Sequence, residues 1–256
     1  MDESPVKDGP EESSDSTEDS VALQVYGVAQ EGEEEEVAFP SLFTRFIDVF
    51  FSPGKAMEAV ARNPAWVGAL LVGVFLIALA TALIPFEMVM EGQRQAQLEA
   101  GRDVPEMPEV LVNAMRYISP IIALITVTII SFLVAGLYWL IFSFMLGDEG
   151  RYRQYLAVGT HASLITAVAL LALVPLKLMT GDAALTLNLG NILVFLPEGY
   201  LAAAAKAVDL IGVWSALVVA QGAHAIDSKR SFGSAAAILL TITFAIALIV
   251  GYFTSR

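Results

Sequence analysis

The sequence predicts an all-α, polytopic membrane helical bundle: five transmembrane helices, preceded by interfacial helices and a disordered acidic tail. Three observations carry that expectation. Of 256 residues, 56% are hydrophobic and only 16% are charged, against about 45–50% and about 25% in a soluble domain. The mean hydropathy is +0.67. The few charges leave several uninterrupted apolar runs longer than a bilayer core requires. Such a composition excludes an ordinary cytosolic enzyme, a coiled coil, a collagen-like chain and a wholly disordered chain. The absence of cysteine excludes a disulfide scaffold.

The first element is the tail, residues 1–38. It holds thirteen acids and one base, Lys7, so nearly all of the net charge of −13 belongs to it. High charge with few large apolar residues cannot offset chain entropy, which predicts disorder. The tail repels nucleic acid and anionic headgroups, so no nucleic-acid role is expected. Its apolar interruption, Val21–Val28 with Tyr26, is either a spacer or a short segment for a protein partner. With no basic start and no apolar run, it does not read as a signal peptide.

Two short helices over 41–62 come next. Leu42, Phe43, Phe46, Val49 and Phe50 recur at helical spacing around Arg45 and Asp48, which predicts an amphipathic helix in the headgroup plane. A soluble hairpin leaning on the bundle is the competing reading. Ser52-Pro53 reads as a second helix start and Asn63-Pro64 as its stop. Trp66 sits where an interfacial aromatic belongs.

The membrane domain then occupies 39–253. A helix needs roughly 20 apolar residues to cross a core about 30 Å thick. The charge-free runs predict spans at about 64–86, 118–146, 155–178, 201–226 and 232–253, with Lys206 and Asp209 interrupting the fourth. They must be helices, because lipid offers the backbone no hydrogen-bond partner. Ala183–Pro197 is uncharged but short and carries Asn188, Gly190 and Asn191. It reads as an interfacial helix or a shallow re-entrant segment, with a sixth span as the alternative.

Basic residues at the span ends set orientation. One side collects Arg45, Lys55, Arg62, Arg151, Arg153, Lys229 and Arg230, the other Arg94, Arg102, Arg116, Lys177, Lys206 and Arg256. The tight basic loops predict an amino terminus in the cytoplasm and a carboxyl terminus outside.

Three stretches resemble the Yip-one (Ypt/Rab-interacting) integral membrane protein family, particularly its bacterial members. They are Phe46–Trp66 (FIDVFFSPGKAMEAVARNPAW), Gly147–Ser163 (GDEGRYRQYLAVGTHAS) and Asn188–Ala225, which bears Trp214. The likeness covers roughly 40–253. It implies an intracellular amino terminus, in a bacterial cytoplasmic (inner) membrane, and brings no catalytic motif. Eukaryotic relatives bind small GTPases and assist vesicle traffic, a role that does not transfer to a bacterial member. His161 and the long acidic tail depart from the family pattern.

Ionisable groups inside a membrane are costly and point to function. Gln221, His224 and Asp227 fall at successive i+3 positions on the fourth span, and His161 on the third lies at a similar depth. This candidate polar cluster either binds a metal, a proton or a small polar ligand, or supplies interhelical hydrogen bonds with Thr160 and Ser163. Two histidines without a third ligand do not specify a metal. At the other face Lys177, Lys206 and Asp209 are a candidate pairing, unless the lysines snorkel to headgroups. Arg151, Tyr152, Arg153 and Tyr155 form a candidate patch for anionic lipid or a partner. They are equally an orientation signal. The small residues Ala202–Ala205, Gly222, Ala223 and Ala235–Ala237 allow close helix contact, within the chain or in a homo-oligomer.

No HExxH, G-x-S-x-G, P-loop or strand-borne G-x-G-x-x-G is present. The expectation is a non-enzymatic scaffold or adaptor with no cofactor and no metal, touching membrane lipids and a protein partner. The alternative is a small-solute or ion transporter using His161 and His224.

Overall fold

The computed structural model describes residues 39–99, 101–102 and 108–255; the expectations for the acidic tail lie outside them. The described residues form nine α-helices and no strand. They are α1 (Leu42–Phe51), α2 (Pro53–Arg62), α3 (Val67–Leu83), α4 (Phe86–Glu99), α5 (Glu109–Trp139), α6 (Tyr152–Thr180), α7 (Tyr200–Lys206), α8 (Leu210–Ile226) and α9 (Phe232–Thr254).

Local chemistry sets most boundaries. The Ser41 side chain accepts from the Thr44 N–H and starts α1, satisfying a donor the helix leaves free. Pro53 opens α2, where its missing N–H costs nothing. Ile84 is extended ahead of Pro85, ending α3, and the chain turns through 84° into α4. The segment 87–116, between the first two expected spans, is largely helical among its described residues: polar α4, then the first turns of α5. α5 ends in a π-helical turn, Leu140–Met145. Gly181, at φ 69°, stops α6.

Length and composition qualify three helices as membrane spans: Glu109–Met145, Tyr152–Thr180 and Phe232–Thr254. The bent pair Val67–Leu83 and Phe86–Leu98 makes a fourth if it is one span. The five spans of the sequence reading thus reduce to three or four on these grounds. The fourth expected span, 201–226, is broken. α7 stops at Lys206, and the Asp209 carboxylate caps α8 by accepting from Ile211 N and Gly212 N. The 17 residues of α8 rise about 25 Å, short of a core of about 30 Å. Ala183–Pro197 is not a continuous helix either. It holds one 3₁₀ turn, Leu189–Asn191, capped by Asn188, and exposes Ile192, Val194 and Phe195.

α6 is the axis of the bundle. It packs against α1, α2, α3, α5 and α8, while α9 packs against α7 and α8. The main core joins Val49, Met57 and Val60 to Phe142, Tyr155, Val158, Val218, Val219 and Leu239. α5 turns Ile121, Ile122, Ile125, Ile129, Ile130 and Leu133 outward, as a lipid-facing helix does. Small residues set the closest contacts. A Cβ on Gly222 would overlap Val158, and one on Gly251 would overlap Ala204, so Gly222 and Ala204, both singled out in the sequence, serve contacts inside the chain.

Gly222→Ala should therefore lower the thermal midpoint in detergent, at an overpacking cost of about 1–3 kcal/mol. Gly92→Ala, on α4 with no atom within 4 Å of its added methyl, should raise stability by about 0.5–1 kcal/mol. Circular dichroism melts of both variants check the pair.

Candidate functional site: a polar clamp at the hairpin end

One end of the bundle gathers the α1–α2 hairpin, the α2–α3 junction and the loops 147–151 and 227–231. Polar side chains stitch these pieces together. Arg45 projects from the buried side of α1 and is only 6% exposed. Its Nε donates to Pro40 O at 3.2 Å, and Nη1 donates to Ala65 O at 3.3 Å and to His161 Nε2 at 2.8 Å. His161 is fully buried and its Nδ1 lies 2.7 Å from Ala157 O. This geometry assigns the imidazole proton to Nδ1 and leaves Nε2 to accept from the guanidinium.

The second part of the clamp joins two loops distant in sequence. Gly147, at φ 76°, turns the chain so that Asp148 N–H donates to Phe142 O. The Asp148 carboxylate then receives Arg230 in a forked contact, Nε at 2.9 Å and Nη2 at 2.5 Å, the geometry that guanidinium and carboxylate share. Asp227 accepts from the backbone N–H of Glu149 at 3.0 Å and of Lys229 at 2.9 Å. Outside this pair, Lys229 meets Glu149 at 2.6 Å in an exposed bridge. Beneath it, Phe142 stacks on Tyr155 with centroids 6.0 Å apart, and Ser143 donates to Gly150 O. Gln154 donates to Ala61 O and Arg153 to Pro64 O, fixing the start of α6 to the α2–α3 junction.

These contacts set the local protonation. The hydrogen bond to Asp148 raises Arg230 above the ordinary guanidinium value. Glu149 raises Lys229 through its side-chain hydrogen bond. The N–H groups of Glu149 and Lys229 hold the Asp227 carboxyl below the usual carboxylate range.

The residues singled out in the sequence are distributed differently from a single binding cluster. His161 takes Arg45, while Gln221 lies against Gly54 of α2. His224 Nδ1 is 2.6 Å from Arg230 O, and Asp227 joins the loop clamp. No group of three or more His, Cys, Asp or Glu able to hold a metal occurs among the described residues. At the opposite end, Lys177 Nζ donates to Ala183 O at 2.7 Å. Asp209 caps α8, and the Lys206 stem runs beside Gly190. Lys177 and Asp209 line one small groove of about 80 Å³ but take these separate partners. Of the expected cationic–aromatic patch, Tyr152 donates to Phe132 O and Arg153 to Pro64 O. Tyr155 is fully buried, stacked on Phe142, and belongs to the core rather than the patch.

The sequence reading missed the forked Asp148–Arg230 pair, whose members lie 82 residues apart. It also missed the role of Arg45, although a lone arginine within an apolar helix side is a signal for a buried partner.

Fold and site together define a polytopic helical membrane protein whose polar groups brace its loops. Residues 47–253 match the model of the Yip1 domain, and the chain belongs to the Yip1 domain family. Comparisons with curated proteins and with solved structures found no match.

The two ion pairs of the clamp differ in burial. The Asp148 and Arg230 side chains are 6% and 16% exposed, those of Glu149 and Lys229 more than 70%. Arg230→Ala should therefore cost about 3 kcal/mol and Lys229→Ala should leave stability nearly unchanged, read as shifts in the denaturation midpoint. The Asp227 carboxyl is depressed from 3.8, so its contribution is whole above that value and is lost as pH falls through the lower folded value. Melts from pH 7 to pH 3 should show an acid limb that Asp227→Asn flattens.

Proposed function

We propose that this Yip1-domain protein is a non-enzymatic membrane scaffold or adaptor. It crosses the bacterial cytoplasmic membrane five times and presents its acidic tail to a cytosolic protein partner. The observation that carries the reading is the commitment of the hairpin-end polar groups. Arg45, His161, Asp148, Asp227 and Arg230 all bond to neighbours within the chain, so they brace a platform. The α1–α2 hairpin on that platform leaves Phe43 and Phe51 exposed at 74% and 81%, with Ile47 between them. Residues spaced i, i+4 and i+8 form one stripe, suited to sink into the interface and tie the hairpin to the membrane surface.

Five passes are supported by the course of the chain. α3, α5, α6, the broken pair α7–α8 and α9 run alternately between the hairpin end and the end that holds Ser255. Arg45, Lys55, Arg62, Arg151, Arg153, Lys229 and Arg230 all belong to the hairpin-end elements, which favours that end as cytoplasmic. The transport alternative gains nothing from the geometry. Grooves occur among α3, α4 and α5 and at the end opposite the hairpin, and none of these is lined by His161, Gln221 or His224.

Crosslinking in the native membrane, with the full chain beside a form lacking residues 1–38, tests the reading. A crosslinked protein present with the full chain and lost with the shortened one is the expected result; identical patterns would remove the tail from the proposal. Because the chain has no cysteine, single cysteines at Ser13 and Ser255 report sidedness without background. Labelling of both from one side would overturn the five-pass arrangement.

A further inference from the structure

At the hairpin end, three exposed arginines from two distant segments meet beside the junction of α2 and α3. Arg62 closes α2, and its side chain is 73% exposed. Arg151 stands at the N-cap of α6 and Arg153 in its first turn, both exposed. Two contacts bring the segments together. Gln154 accepts from the Arg151 N–H at 2.9 Å and donates to Ala61 O at 2.9 Å, across 93 residues. Arg153 Nε donates to Pro64 O at 3.3 Å. Those two carbonyls stand on either side of Arg62 in the chain, so all three arginines belong to one patch.

The charge there is one-sided. Glu58, 3.4 Å from Arg62, makes an exposed bridge within α2. Arg151 and Arg153 pair with no carboxylate among the described residues. The acids that precede them in the chain, Asp148 and Glu149, are taken by Arg230 and Lys229.

Two aromatic residues mark the height of the patch. Trp66 meets Phe132 of α5 edge-on at 5.4 Å, and the Tyr152 hydroxyl donates to Phe132 O at 3.0 Å. Next to Phe132 in the sequence of α5, Ile129, Ile130 and Leu133 are exposed, so the lipid-facing surface of α5 reaches this level. Trp and Tyr concentrate where hydrocarbon gives way to headgroups. Arg153, adjacent to Tyr152, and Arg62, four residues before Trp66, therefore stand at the level of headgroup phosphates.

We propose that this patch holds one phospholipid whose headgroup carries net negative charge. The phosphate meets Arg151 and Arg153 with Arg62 beside them, and the acyl chains stay in the surrounding hydrocarbon. Charge complementarity selects the class: a zwitterionic headgroup would bring its own cation against three guanidinium groups, and an anionic one does not. The aromatic pair favours a membrane source over an acidic soluble protein. The patch expected from the sequence thus loses Tyr155 and gains Arg62 and Trp66.

The test uses the full chain, purified in detergent and exposed to an equimolar mixture of phosphatidylglycerol and phosphatidylcholine with identical acyl chains. Retained lipid is read by native mass spectrometry. The expected result is one glycerol lipid kept about tenfold over the choline lipid, the scale of one charge-assisted contact. Arg62→Gln and Arg153→Gln should each lower that preference, and the double variant should erase it. Lys55→Gln, the same charge change about 10 Å away along α2, should leave it in place. Melting curves for each variant report folding independently. Equal retention of the two lipids, or a preference untouched by the double variant, would overturn the proposal. An equal loss with Lys55→Gln would also overturn it, because diffuse attraction would then suffice. So would binding of a soluble oligoglutamate that both arginine variants abolish while neither lipid is preferred, which would assign the patch to an acidic protein. Retention in detergent reports the contact whichever side of the membrane holds this end, so a negative result leaves the scaffold reading standing.

Discussion

The structure rests on one constraint: a polar group placed among apolar helices must find its partner within the protein. Arg45 shows it most directly. Its guanidinium is enclosed at the junction of α1, α3 and α6, with carbonyls of Pro40 and Ala65 and the ring of His161 as acceptors. An unsatisfied cation there would cost several kcal/mol. The same demand explains why no buried side-chain nitrogen or oxygen among the described residues lacks a hydrogen-bond partner.

That constraint divides the bundle into two ends of different character. At the hairpin end the loops are short, and their side chains bond across long sequence separations, as in the Asp148–Arg230 fork. The helices beneath approach closely through Gly222 and the alanines of α6, α8 and α9. Without a hydrophobic drive between helices in lipid, such close contacts and interhelical hydrogen bonds supply the cohesion. At the other end the chain between α6 and α8 is irregular. It is held by backbone pairing of Leu189 with Val208 and Leu210 with Leu187, and it leaves Lys206 and Glu198 beside open grooves.

The break between α7 and α8 follows from the same chemistry. Asp209 is costly inside hydrocarbon, but as a helix cap it satisfies two N–H groups that the start of α8 exposes. Helix interruption at Ala207–Asp209 thus places the charge at a helix start. It also lets α7 lean against α9 through Gly251.

By itself the sequence determined the all-α membrane class, the Ser52-Pro53 helix start, the stop at Asn63-Pro64, and the positions of most long apolar runs. These properties depend on residue type and near neighbours, and the 3.6-residue period and capping chemistry act over a few residues. The sequence also pointed to the family through the stretches Phe46–Trp66, Gly147–Ser163 and Asn188–Ala225. Only the tertiary structure decided that His161 pairs with Arg45 rather than His224, that Tyr155 lies in the core, and that Asp148 meets Arg230. It also decided that the run 201–226 divides at Asp209. Each of these turns on which helix faces meet across separations of tens of residues, and helix rotation and close packing set that geometry, which no local pattern encodes.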